Sequence, residues 1–241
     1  MATEQVLPPP VELRGLARGL VTWYLEHGRK LPWRDPSATP WHVLIAEVLL
    51  RQTSARHVEQ VYAGFVERAP TPSALLALDA ALLAEILIPL GLQHQRTAAL
   101  RALAETLVAQ SDGCVPPRYT DLVALPHVGP YAAGATLMFA SGGRFPLPDV
   151  NVGRVGSRYF GSPLARTKRD LASVARRVLR VCPKGLERPF FYGLLDLSAE
   201  LCRPKPRCAV CPLSRRCAFR KKERQVSQCR RREGTSWPSS L

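Results

Sequence analysis

Acidic residues are scarce in this 241-residue chain: 19 Asp and Glu stand against 34 Lys and Arg, a formal net charge of +15. A shortage of that size points to a polyanion as partner. Long apolar runs are missing too; none approaches the ~20 residues that span a bilayer, so a membrane is not the expected partner. The opening residues, "MATEQVLPPP", have neither the basic n-region nor the apolar h-region of a secretory signal. Strand-like alternation is nearly absent, and there is no internal repeat or long low-complexity tract. The expected class is a soluble intracellular protein, and 46% hydrophobic residues suffice for one large domain or two smaller interlocked ones.

What is present reads as helices. Apolar residues recur at helical spacing in Val43, Leu44, Val48 and Leu49, in Leu75, Leu76, Leu82, Leu83 and Ile86, and in Leu100, Leu103 and Leu107. Proline, glycine and small polar residues break the pattern at "LPWRDPSATP", "RAPTPS", "SDGCVPP" and "SGGRFPLPD". The fold class expected is all-α, with short helices joined by short loops. After Cys217 the composition shifts to seven basic against two acidic residues with few aliphatic ones, which reads as a mobile basic tail.

Seven cysteines is an odd number, and four of them, Cys202, Cys208, Cys211 and Cys217, fall within sixteen residues as Cx5CxxCx5C. Two disulfides in so short a loop would be strained and out of place in a reducing compartment. Zinc sites of four cysteines usually come as two CxxC pairs, and only Cys208 and Cys211 form one. The uneven spacing suits an iron–sulfur cluster better, with zinc and free thiols as the alternatives. A centre at the end of the chain, far from the acidic candidates below, fits a structural role better than a catalytic one. Cys114, Cys182 and Cys229 show no partner pattern and read as ordinary thiols. Between the first two of the four lies "RPKPR", a proline-stiffened loop that would carry Arg203, Lys205 and Arg207 outward as a phosphate grip.

In "LPHVGPYAAG", Leu125 to Gly134, Gly129 can supply a backbone conformation closed to other residues, and Pro130 fits the first turn of a helix. Backbone N–H groups at such a start, around His127, Val128 and Gly129, can take a phosphate oxygen without reading a base. A tight turn with no ligand is the competing reading of this motif taken alone.

The order "LPWR", "AEVLLRQT", "LPHVGPYAAG", "LPDVNVGRV", "LLDLSAELC" and the cysteine cluster resembles the helix-hairpin-helix DNA glycosylases of the endonuclease III and MutY superfamily. Within it the resemblance is greatest to the mismatch thymine glycosylase branch, and it covers roughly residues 30 to 217. The resemblance implies a two-domain all-α fold with a C-terminal [4Fe-4S] cluster loop: a six-helix barrel with the hairpin over 33–143, a cluster domain over 1–32 plus 144–219, and a basic flexible tail over 220–241. It implies double-stranded DNA with a mismatch or damaged base as partner, bent across the cleft between the domains with the target nucleotide flipped out. A monomer acting in the cytoplasm, at the nucleoid, is expected.

The resemblance also assigns residues. Asp149 matches the superfamily aspartate: a carboxylate beside C1′ stabilises the positive charge left on the sugar and can hold or deprotonate the attacking water. It also stands where a helix N-cap belongs. Tyr131 falls where strand-cutting relatives have a lysine that forms a Schiff base; a phenol cannot form one, so the implied reaction is monofunctional. Glu47 corresponds to the pocket glutamate of the adenine- and thymine-removing branches, an acid able to protonate a poor leaving group. Gln52 matches the residue that fills the gap left by flipping, Arg51 is placed against the estranged strand, and Gln93 and His94 fall where a second wedge is kept.

This sequence departs from the family pattern at His127, where a hairpin glycine is usual, and in its Cx5C first spacing, where Cx6C is usual. The chain also ends soon after Cys217, without the domain with which MutY reads 8-oxoguanine. The reading expected is a monofunctional base-excision glycosylase for thymine or uracil opposite guanine. The alternatives are an adenine glycosylase for A:G or A:8-oxoguanine, an endonuclease III-like glycosylase for damaged pyrimidines, and an inactive iron–sulfur DNA-binding protein.

Overall fold

The computed structural model describes the backbone of residues 15–233 and the side chains of residues 15–225. Residues 1–14, the tail beyond 233 and the side chain of Cys229 lie outside the described residues. Among the described residues there are twelve α-helices and three short 3-10 turns, and no strand. None of these helices is long and apolar enough to cross a membrane. The chain divides into two units, Lys30–Leu147 and Met1–Arg29 with Pro148–Leu241; the sequence-based boundaries at 33 and 143 fall just inside this division.

Unit Lys30–Leu147 holds α2 (Pro40–Leu49), α3 (Ala55–Arg68), α4 (Pro72–Ala77), α5 (Ala80–Leu87), α6 (Gln93–Ser111), α7 (Tyr119–Ala124) and α8 (Pro130–Ser141). That is seven helices where the resemblance implies six, α4 and α7 being only six residues long. Short polar caps set their starts: the side chains of Thr39, Ser54, Thr71 and Asp79 accept backbone N–H groups at the starts of α2 to α5. Eight of the ten residues of α2 are buried, so this helix runs through the core. Trp41 Nε1 donates to Ala69 O at 3.0 Å and Tyr62 Oη donates to His42 O at 2.8 Å, which satisfies both polar tips inside an apolar cluster. α8 packs against α2, and its residues Ala132 to Phe139 are all buried.

The other unit holds α1 (Gly15–His27), α9 (Val150–Phe160), α10 (Lys168–Arg180), α11 (Glu187–Glu200) and α12 (Ala218–Glu233). α11 is its core helix, with Phe190, Phe191, Leu194 and Leu197 fully buried. α9 and α10 approach closely because Gly153 and Gly156 have no side chain; a Cβ there would stand 2.4 Å from Leu171 and 2.5 Å from Val174. The end of α1 is tied to α11 by Arg29, whose Nε and backbone N donate to the fully buried Asp196 at 2.7 and 2.9 Å.

Where the composition reads as a mobile tail, the structure continues as α12 to Glu233. Arg, Lys, Glu and Gln are good helix formers, Arg220 and Glu223 pair at 3.4 Å one turn apart, and Phe219 lies 5.0 Å beneath the Arg158 guanidinium. Composition alone could not separate a charged helix from a charged coil.

Asp196→Asn is expected to destabilise the protein by about 3 kcal/mol, since it strips a buried ion pair of one charge. Urea unfolding of the purified variant is the check; an unchanged midpoint would mean that Arg29 finds equal compensation elsewhere.

Candidate active site, hairpin and cysteine cage

The turn between α7 and α8 is built differently from the sequence expectation. His127, not Gly129, takes the left-handed backbone, with φ 62°; Gly129 is extended at φ −92°, ψ 175°, a conformation open to any residue. A left-handed non-glycine costs on the order of 1–2 kcal/mol, and here it lets the buried Val128 turn inward, with its N–H on Leu125 O. Glycine at 129 meets another need: a Cβ there would touch nothing within 4 Å, so the space before the helix stays open. As N-cap, Gly129 offers no side-chain acceptor to the start of α8.

Glu47, Arg51, His127, Val128, Gly129 and Tyr131 line one cavity of about 420 Å³. The fold thus brings together a buried acid from α2, 7% exposed, the phenol from the first turn of α8, and the hairpin backbone. Arg51 Nη1 donates to His127 O at 3.0 Å, fastening the end of α2 to the hairpin. An adjoining cavity of about 270 Å³ has Gln52, Leu92, Gln95 and Arg96 in its lining, together with Arg51 and His127. Gln52 is exposed and left-handed, with φ 56°.

Of the expected second wedge, Gln93 opens α6 half-buried and His94 is exposed, but neither lines these cavities. Sequence reasoning missed Leu92, which stands beside Gln52 in the second cavity, left-handed at φ 53° and 51% exposed. It also missed Arg96. An exposed leucine carries no periodic signal; its only mark is the preceding Gly91.

Asp149 opens α9 as its N-cap, Oδ1 accepting from Asn151 N at 2.6 Å and Val152 N at 3.3 Å. The same helix carries Arg154, which donates to Asn151 Oδ1 at 2.9 Å, Ser198 O at 3.2 Å and Cys202 O at 2.7 Å. The helix that begins at Asp149 is therefore bonded to the first cysteine of the cluster sequence. Neither Asn151 nor Arg154 stood out in the sequence.

Cys202, Cys208, Cys211 and Cys217 line a single small cavity closed by Leu197, Phe219 and neighbouring residues. Burial pushes the Cys211 thiol up to about 11 and raises Cys208. Arg158 approaches Cys202 Sγ at 3.5 Å and holds the carbonyls of Arg203 and Pro204. Among the described residues no three His, Cys, Asp or Glu side chains gather tightly enough around one point for a single metal ion. Arg203, Lys205 and Arg207 are all exposed, though Arg203 Nε turns back to Ala199 O at 2.8 Å.

Residues 45–181 match the family described as HhH-GPD superfamily base excision DNA repair protein. The chain is 38% identical over 213 residues to a thymine-DNA glycosylase of Aeropyrum pernix, covering 86% of this chain and 95% of the relative. It is 36% identical over 228 residues to a thymine/uracil-DNA glycosylase of Pyrobaculum aerophilum, covering 92% and 98%. The solved structure of a thermostable thymine-DNA glycosylase superposes with a TM-score of 0.79 at 31% identity, covering 86% of this chain and 95% of that one.

His127→Gly is expected to raise stability by about 1 kcal/mol, because glycine takes the left-handed backbone without the Cβ clash. A denaturant midpoint that stays put or falls would show that the strain is not stored at this turn.

Proposed function

Because the chain belongs to the HhH-GPD superfamily of base excision DNA repair proteins, we propose that it is a monofunctional DNA glycosylase that removes thymine or uracil mispaired with guanine. The observation that carries this reading is the gathering of Glu47, Tyr131 and the uncapped start of α8 around one cavity. The relatives named as thymine and thymine/uracil glycosylases match along nearly their whole length, which favours these bases over adenine.

In the proposed reaction the hairpin N–H groups hold a backbone phosphate and the target nucleotide leaves the stack for the Glu47 cavity. Leu92 replaces Gln93 and His94 as the second wedge, on the ground that it is exposed, apolar and beside Gln52. Glu47, an acid 7% exposed on that cavity, is assigned to donate a proton to the departing base. The N-glycosidic electron pair leaves with that base. The sugar's positive charge is balanced by Asp149, which takes the proton of the water that adds to C1′. Tyr131 offers no amine, so no Schiff base forms and the strand stays intact.

Members of the superfamily often carry a [4Fe-4S] cluster, and we assign one here to Cys202, Cys208, Cys211 and Cys217. Such a cluster would take four cysteine thiolates on several irons rather than on one ion. That accounts for four thiols on one cavity without a single-ion site. A cluster held there by the four cysteines as thiolates would supply a structural centre for the loop that carries Lys205 and Arg207.

End-labelled duplexes with T:G, U:G, A:G and A:8-oxoguanine, developed with and without hot alkali, test the reaction. Breaks are expected on T:G and U:G only, and only after alkali. Breaks on the adenine duplexes would move the assignment to that branch, and breaks without alkali would refute the role given to Tyr131. Glu47→Gln and Asp149→Asn are each expected to lower excision by roughly 10²-fold or more while duplex binding persists.

The purified protein is expected to be yellow-brown, with a broad band near ~400 nm that Cys211→Ser abolishes. A colourless zinc protein would overturn the cluster assignment.

A further inference from the structure

Four non-glycine residues among those described have positive φ, and three of them, Gln52, Leu92 and His127, line the same cavity. Strained backbone of this kind persists only where the surroundings over-determine it. One side chain supplies most of that determination. From the first turns of α6, Arg96 Nε donates to Gly91 O at 2.9 Å, Nη1 to Leu49 O at 3.2 Å and Nη2 to Arg51 O at 3.0 Å, and Nη2 also reaches the Thr53 hydroxyl.

The acceptors are specific. Arg51 O and Gly91 O belong to the peptide planes that immediately precede Gln52 and Leu92, and the orientation of each plane sets the φ of the residue that follows. A single rigid guanidinium thus fixes both left-handed residues at once. Arg51, whose carbonyl Arg96 holds, in turn holds His127 O, so the hairpin turn is joined to the same assembly.

We propose that Arg96 is a positioning residue that locks the Gln52 and Leu92 turns into one rigid unit, so that the two side chains enter the duplex together at fixed spacing when the target nucleotide leaves it. This rests on the glycosylase reading above. No carboxylate is among the partners recorded for Arg96: its acceptors are three carbonyls and a hydroxyl. Burial, and then the neighbouring Arg51, make its charge harder to hold. Geometry, not charge pairing, is what this arginine provides, and lysine's single ammonium cannot present the same planar fork.

The test is single-turnover excision by Arg96→Lys on two duplexes, one with the target base paired opposite guanine and one with it opposite an abasic site, where no pair has to be broken. Thermal stability and binding to undamaged duplex are measured alongside. On the paired target the variant is expected to lose at least tenfold in rate. Opposite the abasic site it comes within about threefold of wild type, with melting and matched-duplex binding near wild type. Equal losses on both substrates, or no loss on either, would overturn the proposal.

A second set leaves Arg96 in place and covers the case in which the lysine variant misfolds. Gln52→Ala, Leu92→Ala and the double variant are compared on the paired target. A rigid unit predicts that the double variant is little worse than the poorer single one; losses that multiply would mean that the two turns act separately and would refute the lock. Wild-type protein that excises nothing from any duplex overturns the glycosylase reading and the lock with it. Wild-type excision with unaffected variants overturns the lock alone.

Discussion

The burial of α2 against α8 is the constraint from which the candidate site follows. A helix with eight of ten residues buried cannot turn about its axis without exposing apolar surface, so the direction of its one acid, Glu47, is decided by the core. Its C-terminal end must then come out of the core at Arg51 and Gln52, both exposed. α8 packs on α2, and this brings Tyr131 and the hairpin to the cavity that Glu47 lines.

Around that core, stability and availability are divided along the chain. Within unit Lys30–Leu147, α2 to α5 begin with side-chain caps at Thr39, Ser54, Thr71 and Asp79, each worth about 1 kcal/mol. α6 and α8, which begin at the cavity, have Leu92 and Gly129 at the cap position and no side-chain acceptor. The left-handed turns at Gln52, Leu92 and His127 lie in the same place. Three of the four left-handed non-glycine residues among those described thus lie where a nucleic acid is proposed to bind; the fourth, Asp112, ends α6.

The other unit shows a different economy. α9 starts at Asp149, and one turn later Arg154 bonds Asn151 and Cys202 O. Farther along, Arg158 bonds the Cys202 sulfur and the carbonyls that follow. The order of the cysteine loop and the orientation of the helix that presents Asp149 are therefore mechanically linked within one unit. That gives the proposed cluster a physical means of supporting the helix that Asp149 caps.

Helix periodicity and the breakers between helices are local signals, and the all-α class was legible from them; motif order and the cysteine spacing singled out Glu47, Tyr131, Asp149 and the four cysteines as candidates. The tail was misread because a helix rich in Arg, Lys and Glu has the composition of a coil; what distinguishes it is contact, such as that of Phe219 with Arg158. The hairpin was misread because the sequence shows which residue is a glycine but not where the backbone turns left-handed. Leu92, Arg96, Asn151 and Arg154 were invisible because their roles depend on partners distant in sequence. By itself, then, the sequence determined the all-α class and which residue types are candidates for the chemistry, since residue type and periodicity are properties of the chain. Only the tertiary structure decided which side chains share a cavity and which carbonyls one arginine can reach, because those distances are set by packing between segments far apart along the chain.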